Sequence, residues 1–349
     1  MSTHDGPTYR AAVIGCGAIG SSIEDDVLGA HYRLLLPFGH APVYQQNPRT
    51  ELVAGADPGE HRRALFAERW KLGEDHVYAD HREMLEREQI DIVSVATPTP
   101  YHAEIALDAV QAGVKAIFIE KPIASSLADA ERLIEACARA GIPLAVNHTR
   151  RGDHLHRQAK RMIDEGVIGD LHSIVIHGAH QLMWNASHAF DLANYFNGDQ
   201  PAAWIIGKLE AEPAHDPGGT AFIVYQNGVQ AYIDATPGHA HLMRAEIMGP
   251  KGKIIIGNYE LELWRTDETH KRRPLLQHPF PQVISATSAM TNLVNELLDE
   301  LEGGPPVISN GHTAIKAVEL IAALYDSSER GHQRVDLPLP DRSRVIGSN

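Results

Sequence analysis

Arg10-Ala11-Ala12-Val13-Ile14-Gly15-Cys16-Gly17-Ala18-Ile19-Gly20 is the stretch on which the fold turns. A short apolar run, the composition of a buried strand, passes without a linker into three glycines spaced G-x-G-x-x-G. At that spacing the glycines permit a tight turn and close backbone approach to a pyrophosphate, while the amides of a following helix face the anion. A glycine-rich turn can also merely join strand to helix, so the context decides. That context is alternation. Residues 11–15, 51–57, 91–97, 116–120 and 143–147 read as strands, with helices around 61–72, 101–112 and 127–140 and with Gly113 and Gly141 at helix C-caps. Such alternation predicts an α/β fold with a doubly wound parallel (Rossmann) sheet, and it marks Gly15, Gly17, Ala18, Ile19 and Gly20 as a dinucleotide cradle.

The strand ending at Asp57 places a carboxylate where ribose hydroxyls would bond it and a 2′-phosphate would be repelled. This favours NAD and leaves NADP open, since His61, Arg62 and Arg63 follow closely. Asp57 also suits another role, capping the helix that Pro58 can begin. The spacing is unusual: 37 positions separate Gly20 from Asp57, where about 20 is common. The extra length falls in residues 21–39, where Glu24-Asp25-Asp26 precedes Tyr32-Arg33-Leu34-Leu35-Leu36-Pro37-Phe38. A lid, a subunit contact and plain surface elaboration all fit such a segment.

Beyond His148 the texture changes. A helical stretch at 155–165 leads into β-rich segments punctuated by Gln226-Asn227-Gly228 and Gly249-Pro250-Lys251-Gly252, which read as hairpin turns. Two more helices are expected, at 288–301 and 313–329. The division is therefore a nucleotide-binding domain at 1–147 and an α+β domain at 148–349 with a mostly antiparallel sheet. Self-association, as a homodimer or homotetramer, is expected.

Composition narrows the partners. The chain has 349 residues, and 31 Lys+Arg against 45 Asp+Glu give a net charge of −14, which disfavours nucleic acid. Apolar runs are strand-sized, short of the ~20 residues that span a bilayer, so no membrane partner is expected. The polar first nine residues do not resemble a secretory signal, and only Cys16 and Cys137 are present, which points to the cytoplasm. Among 21 histidines no metal-ligand spacing occurs, and no metal is expected.

Glu120-Lys121-Pro122 places an ionisable pair at the carboxyl end of a strand, the edge where open α/β sheets bind ligands. Together with the 15–20 turn, Thr97-Pro98 followed by His102, and Val167-Ile168-Gly169 after a helix, this pattern resembles the glucose-fructose oxidoreductase and inositol dehydrogenase family, Gfo/Idh/MocA, across essentially the whole chain. The resemblance implies a Rossmann domain followed by an open-faced sheet domain, with Lys121 in the catalytic site and Glu120 near the nicotinamide ribose. It also implies that Thr97, Pro98 and His102 lie along the cofactor.

The chemistry of alcohol oxidation agrees. A cation such as Lys121 stabilises a developing alkoxide, and a group titrating near neutrality takes the hydroxyl proton. His188 is the candidate, with Asp191 one turn further along a helix to orient it, as in a His-x-x-Asp that the family commonly shows. One departure stands out: where family dehydrogenases usually carry an Asp four residues before the His, this chain has Trp184, followed by Asn185. Trp184 can stack on a sugar ring and Asn185 can bond a hydroxyl, or both merely pack. His148, Arg150 and Arg151 follow the 143–147 strand and are further substrate candidates, with a solvated charge cluster as the alternative. His177, His180 and Gln181 precede Trp184 without a clear role.

The expected activity is NAD(P)-dependent oxidation of a secondary alcohol on a sugar, cyclic polyol or glycoside. The alternatives are redox-neutral glycoside cleavage through transient ring oxidation and, as a minor option, a cofactor sensor without turnover.

Overall fold

The computed structural model describes residues 6–28, 35–178, 180–210, 216–236, 243–258, 260–283 and 287–347. Tyr32, Arg33 and Leu34 of the long 21–39 connection lie outside them. The chain forms two compact units, one comprising Met1–Gly152 and Ala286–Ala314, the other Asp153–Ser285 and Ile315–Asn349.

In the first unit, β1 (Tyr9–Ile14), β2 (Thr50–Ala56), β3 (Val77–Tyr78), β4 (Ile92–Val95), β5 (Ala116–Ile119) and β6 (Leu144–Val146) form a parallel sheet ordered β3-β2-β1-β4-β5-β6. This is the dinucleotide-binding order, with its reversal between β1 and β4. Two-residue β3 is too short to leave a periodic signal. Helix His81–Arg87 was equally hidden, because only Met84 of its residues is buried. The β1–β2 connection departs from a single crossover helix. It begins with a π-helical turn, Ala18–Ser22, and a short helix, Ile23–Val27, and it ends in a second helix, His40–Gln46.

A boundary at 147/148 assigns residues 286–314 to the second domain, whereas in the structure they pack with the first. Helix Ala289–Leu301 carries apolar residues at Met290, Leu293, Val294, Leu297 and Leu298, a stripe with helical period. That stripe is fully buried in one core with Val13, Tyr44, Phe66 and Phe118.

The second unit holds a sheet ordered β14-β13-β12-β11-β7-β10-β9-β8-β15. Its strands are β7 (Ser173–His177), β8 (Ala202–Leu209), β9 (Gly219–Tyr225), β10 (Gln230–Ala235), β11 (Arg244–Gly249), β12 (Gly252–Gly257), β13 (Leu261–Thr266), β14 (Leu275–His278) and β15 (Val335–Asp336). Neighbours are antiparallel except β7 and β10, which run parallel. Alternation along the strands sorts the two faces. Ile174, Ile176, Ile223, Ile233 and Ile247 are buried. On the opposite face Val175, Trp204, Ile206, Phe222 and Val224 are half-buried, and Tyr232 and Met248 are exposed. Among the described residues no helix is long and apolar enough to cross a membrane.

Candidate active site

The glycine turn follows β1 at the point where the strand order reverses, and each glycine has its own reason. Gly15 has φ +100°, and a Cβ there would lie 2.4 Å from the Ala96 carbonyl oxygen. A Cβ on Gly20 would lie 1.9 Å from the Gly15 carbonyl oxygen, so the third glycine lets the π-turn close over the strand end. Gly17 faces open space, with nothing within 4 Å of a Cβ position. Open space at the middle glycine, between two positions where only hydrogen fits, is the cradle a pyrophosphate needs, so the turn fits a dinucleotide. Ala18 is exposed and Ile19 half-buried on the π-turn.

Asp57, 4% exposed, spans the turn and the next helix. One carboxylate oxygen accepts from the Cys16 N–H at 3.0 Å and the other from the Gly59 N–H at 2.8 Å. It therefore ties the glycine turn to Gly59, the residue before helix Glu60–Trp70, and does not cap that helix's own amides. Arg62 stands 3.8 Å from the carboxylate, and Arg63 bonds the carbonyls of Asp57 and Pro58. Burial pushes the Cys16 thiol up, with the Asp57 charge adding to it, so Cys16 stays protonated.

At the end of β5, Glu120 is buried and held by three donors. Its Oε1 accepts from His40 Nε2 at 3.1 Å and Asn147 Nδ2 at 2.5 Å, and its Oε2 accepts from the Lys121 N–H at 3.2 Å. Burial alone would raise this carboxyl. The bond and charge of His40, then the Lys121 charge and the Asn147 bond, bring it down to about 2, so Glu120 is ionised at neutral pH.

His40 carries no exposed side-chain area, and its Nδ1 lies 2.7 Å from Ser94 Oγ, which is itself 2.8 Å from the Tyr44 hydroxyl. These bonds join Tyr44, Ser94, His40 and Glu120 in one buried chain, in which His40 Nε2–H donates to Glu120. Sequence reasoning missed His40, because no spacing links position 40 to position 120. A signal was present: Ser94 interrupts the apolar strand Ile92-Val93-Ser94-Val95 and, once buried, needs partners, which His40 and Tyr44 supply from positions i and i+4 of one helix.

Lys121 is half-buried, and its bond to Pro122 is cis. Thr97 and Pro98 follow β4, and buried His102 ties the two strand ends together. Its ring nitrogens lie 2.7 Å from the Pro122 carbonyl and 2.7 Å from the Thr97 carbonyl. Burial lowers its pKa more than these acceptors raise it. His148 and Arg151 are buried behind β6, which removes the solvated reading for Arg151, while Arg150 is half-buried. Burial, then the charges of Arg151, Lys121 and Arg150, hold the His148 imidazole well below its ordinary value, so it is neutral.

In the second unit, Trp184 and Asn185 lie on a π-helical turn, Leu182–Ala186, that runs directly into helix Ser187–Phe196 with His188 and Asp191 one turn apart. Trp184 is 52% exposed, His188 half-buried and Asp191 buried at 1%. Gln181, before the turn, has φ 73°, a strained value for a residue with a side chain. His177 lies 3.9 Å from Asp234 at the end of β7, and His180 is exposed. The candidates thus fall into two groups, each beside a π-turn, a geometry frequent at functional sites.

Known proteins match this architecture throughout. Residues 9–148 match a family model described as an oxidoreductase family with an NAD-binding Rossmann fold, and residues 160–337 match the same family's C-terminal alpha/beta domain. The D-apiose dehydrogenase of Paraburkholderia graminis is 26% identical over 93% of this chain and 88% of its own length. The myo-inositol 2-dehydrogenase of Thermotoga maritima is 26% identical over 89% of this chain and 96% of its own. An inositol dehydrogenase homolog from Azotobacter vinelandii, solved with NADH and myo-inositol, superposes with TM-score 0.78 at 18% identity, over 95% of this chain and 98% of that one. With both family domains matched, the chain belongs to the Gfo/Idh/MocA oxidoreductases, whose N-terminal domain is an NAD-binding Rossmann fold.

Proposed function

We propose that this protein is an NAD-dependent dehydrogenase that oxidises a secondary alcohol of a sugar or cyclic polyol, with Lys121 and His188 as catalytic residues. The observation that carries the reading is the ionised Glu120 fixed beside Lys121 at the carboxyl edge of the nucleotide-binding sheet. NAD, when bound, supplies the hydride acceptor. The Lys121 ammonium stabilises negative charge developing on the substrate oxygen, and His188 takes the hydroxyl proton, with Asp191 holding the ring orientation. Glu120 orients the nicotinamide ribose, and Thr97, Pro98 and His102 shape the strand ends along the cofactor. Neutral His148 offers a hydrogen bond to a substrate hydroxyl without competing for the proton, beside Arg150 and Arg151. Trp184 stacks on the apolar face of a ring and Asn185 bonds a hydroxyl. Relatives named for D-apiose and myo-inositol support a polyhydroxylated substrate.

The experiment is NAD and NADP reduction across inositols, free sugars, sugar acids and glycosides, followed by nicotinamide absorbance. Reduction with one class supports the reading; no reduction with any class, by protein shown to bind NADH, overturns it. In the same assay Asp57→Ser is expected to narrow the preference for NAD over NADP by about tenfold, as repulsion of the 2′-phosphate is lost. An unchanged ratio would remove Asp57 from cofactor selection.

The reading includes a cytoplasmic homo-oligomer. Cys16 and Cys137 are unpaired buried thiols, as a reducing compartment allows. The half-open face of the second sheet combines Trp204, Phe222, Tyr232 and Met248 with both charge signs, Arg244 and Lys253 against Glu246 and Glu260. A second copy of this chain can meet such a surface about a two-fold axis. Light scattering is expected to give at least twice the single-chain mass, and Phe222→Glu should halve it; a monomer at micromolar concentration would refute this.

A further inference from the structure

The turn that carries Trp184 and leads to His188 is not capped by its own sequence. Gln181 precedes it at φ 73° and ψ 98°, away from the extended conformation of an ordinary helix cap, and its side chain makes no capping bond. The first amides of the turn are satisfied from a distant segment. The Leu182 N–H donates to the Pro217 carbonyl at 3.0 Å. The Met183 N–H donates to one carboxylate oxygen of Asp216 at 2.8 Å, and the Trp184 N–H donates to the other, also at 2.8 Å. Asp216 is 5% exposed, 33 residues along the chain from Met183, and belongs to the same unit.

A carboxylate that takes two successive amides fixes both the position and the rotation of the backbone it holds, and its charge suits the positive end of the helix that follows. Here the turn passes without interruption into Ser187–Phe196, so the same carboxylate sets where that helix starts. Trp184, on the turn, and His188, at the start of the helix, lie four residues apart on the backbone that this carboxylate holds.

We propose that Asp216 is a positioning residue that sets the placement of Trp184 and His188. This rests on the dehydrogenase reading for its catalytic consequence, though not for its structural one. The residue touches backbone amides rather than reacting atoms, so its loss should alter geometry and rate while leaving nucleotide binding by the other unit alone. An asparagine retains one acceptor and turns an amino group towards the second amide, whereas an alanine abandons both.

The test compares Asp216→Asn and Asp216→Ala with the unsubstituted protein, each also made with Trp184→Phe so that subtraction isolates the emission of Trp184. Melting temperature establishes folding, NADH affinity reads the nucleotide site, and kcat, substrate KM and the pH profile of kcat read the reaction. The expected result is a shifted Trp184 emission, a kcat lower by about 10- to 100-fold, as small misplacements produce, and NADH affinity unchanged within about twofold. Asp216→Asn should be the milder of the two, and it carries the test should the alanine variant fail to fold. A folded variant with unaltered Trp184 emission and unaltered kcat overturns the proposal, as does a loss of NADH affinity equal to the loss in kcat. If the unsubstituted protein turns over no polyol, the dehydrogenase reading fails, and the Trp184 difference spectrum alone decides the placement.

Discussion

Lys121→Ala is expected to lower kcat by about 10²- to 10⁴-fold with little change in NADH affinity. The asymmetry follows from where the group sits. Its backbone N–H belongs to the Glu120 carboxylate, at 3.2 Å, and that bond survives the substitution. What is lost is the ammonium, whose charge is worth most when the substrate oxygen becomes negative and less in the ground state. Lys121→Met, which keeps the stem, should be nearly as damaged. Lys121→Arg should recover little, because a planar guanidinium cannot put a compact charge at the same point. The check is steady-state kinetics beside a fluorescence titration with NADH. A Lys121→Ala variant within about threefold of full turnover, well short of the loss expected for a catalytic cation, would assign the lysine a structural role.

His40→Leu has the second large effect, on stability. The substitution removes the main donor that offsets burial of Glu120, leaving a charge in the interior short of a partner, a change worth about 3–5 kcal/mol. Its pH dependence has a definite sign. In the unsubstituted protein the depressed pKa of Glu120, about 2, adds stability that is fully present above the ordinary carboxylate range and is lost as pH falls towards that value. Without His40 the burial contribution gains and the pKa moves up, so part of that stability disappears. The gap between the two proteins should be widest near neutral pH and should shrink below about pH 4, where the unfolded carboxyl is protonated. Urea unfolding at several pH values measures this, and a gap constant from pH 7 to about pH 3 would mean that His40 acts through packing against Phe118 rather than through charge.

The nucleotide-binding unit was legible because its signals are local. Ile14-Gly15 and Ile119-Glu120-Lys121 each write a strand end and its ligand edge in adjacent residues, and the alternation around them leaves one architecture. The candidate site was legible only in part. Gly15, Gly17, Gly20, Glu120 and Lys121 announce themselves by spacing, but His40 and Asp216 act across 80 and 33 residues, where nothing periodic connects donor to acceptor. Asp57 was open between two roles because a carboxylate at a strand end suits both; its bonds to Cys16 and Gly59 show a third, the tie between turn and helix. The contrast is physical: periodicity encodes which face is buried, whereas a polar bond inside that face depends on register between elements that the sequence alone does not align.

Helix Ala289–Leu301 completes the core of a unit whose six strands all lie before Gly152. A ribosome therefore finishes the six strands long before it delivers the helix that seals them, and the growing chain carries an apolar groove around Tyr44 and Phe118 through the synthesis of more than a hundred residues. A fragment cut after Gly152 inherits that groove permanently. Transplanting the nucleotide-binding unit into another protein would require two segments rather than one, with the chain leaving and re-entering at neighbouring points, since Asn292 Nδ2 donates to the Gly152 carbonyl at 2.9 Å. The Asp153–Ser285 segment of the second unit is in this sense inserted into the first, so its loops and strands can vary without disturbing the order in which the first unit's strands are laid down.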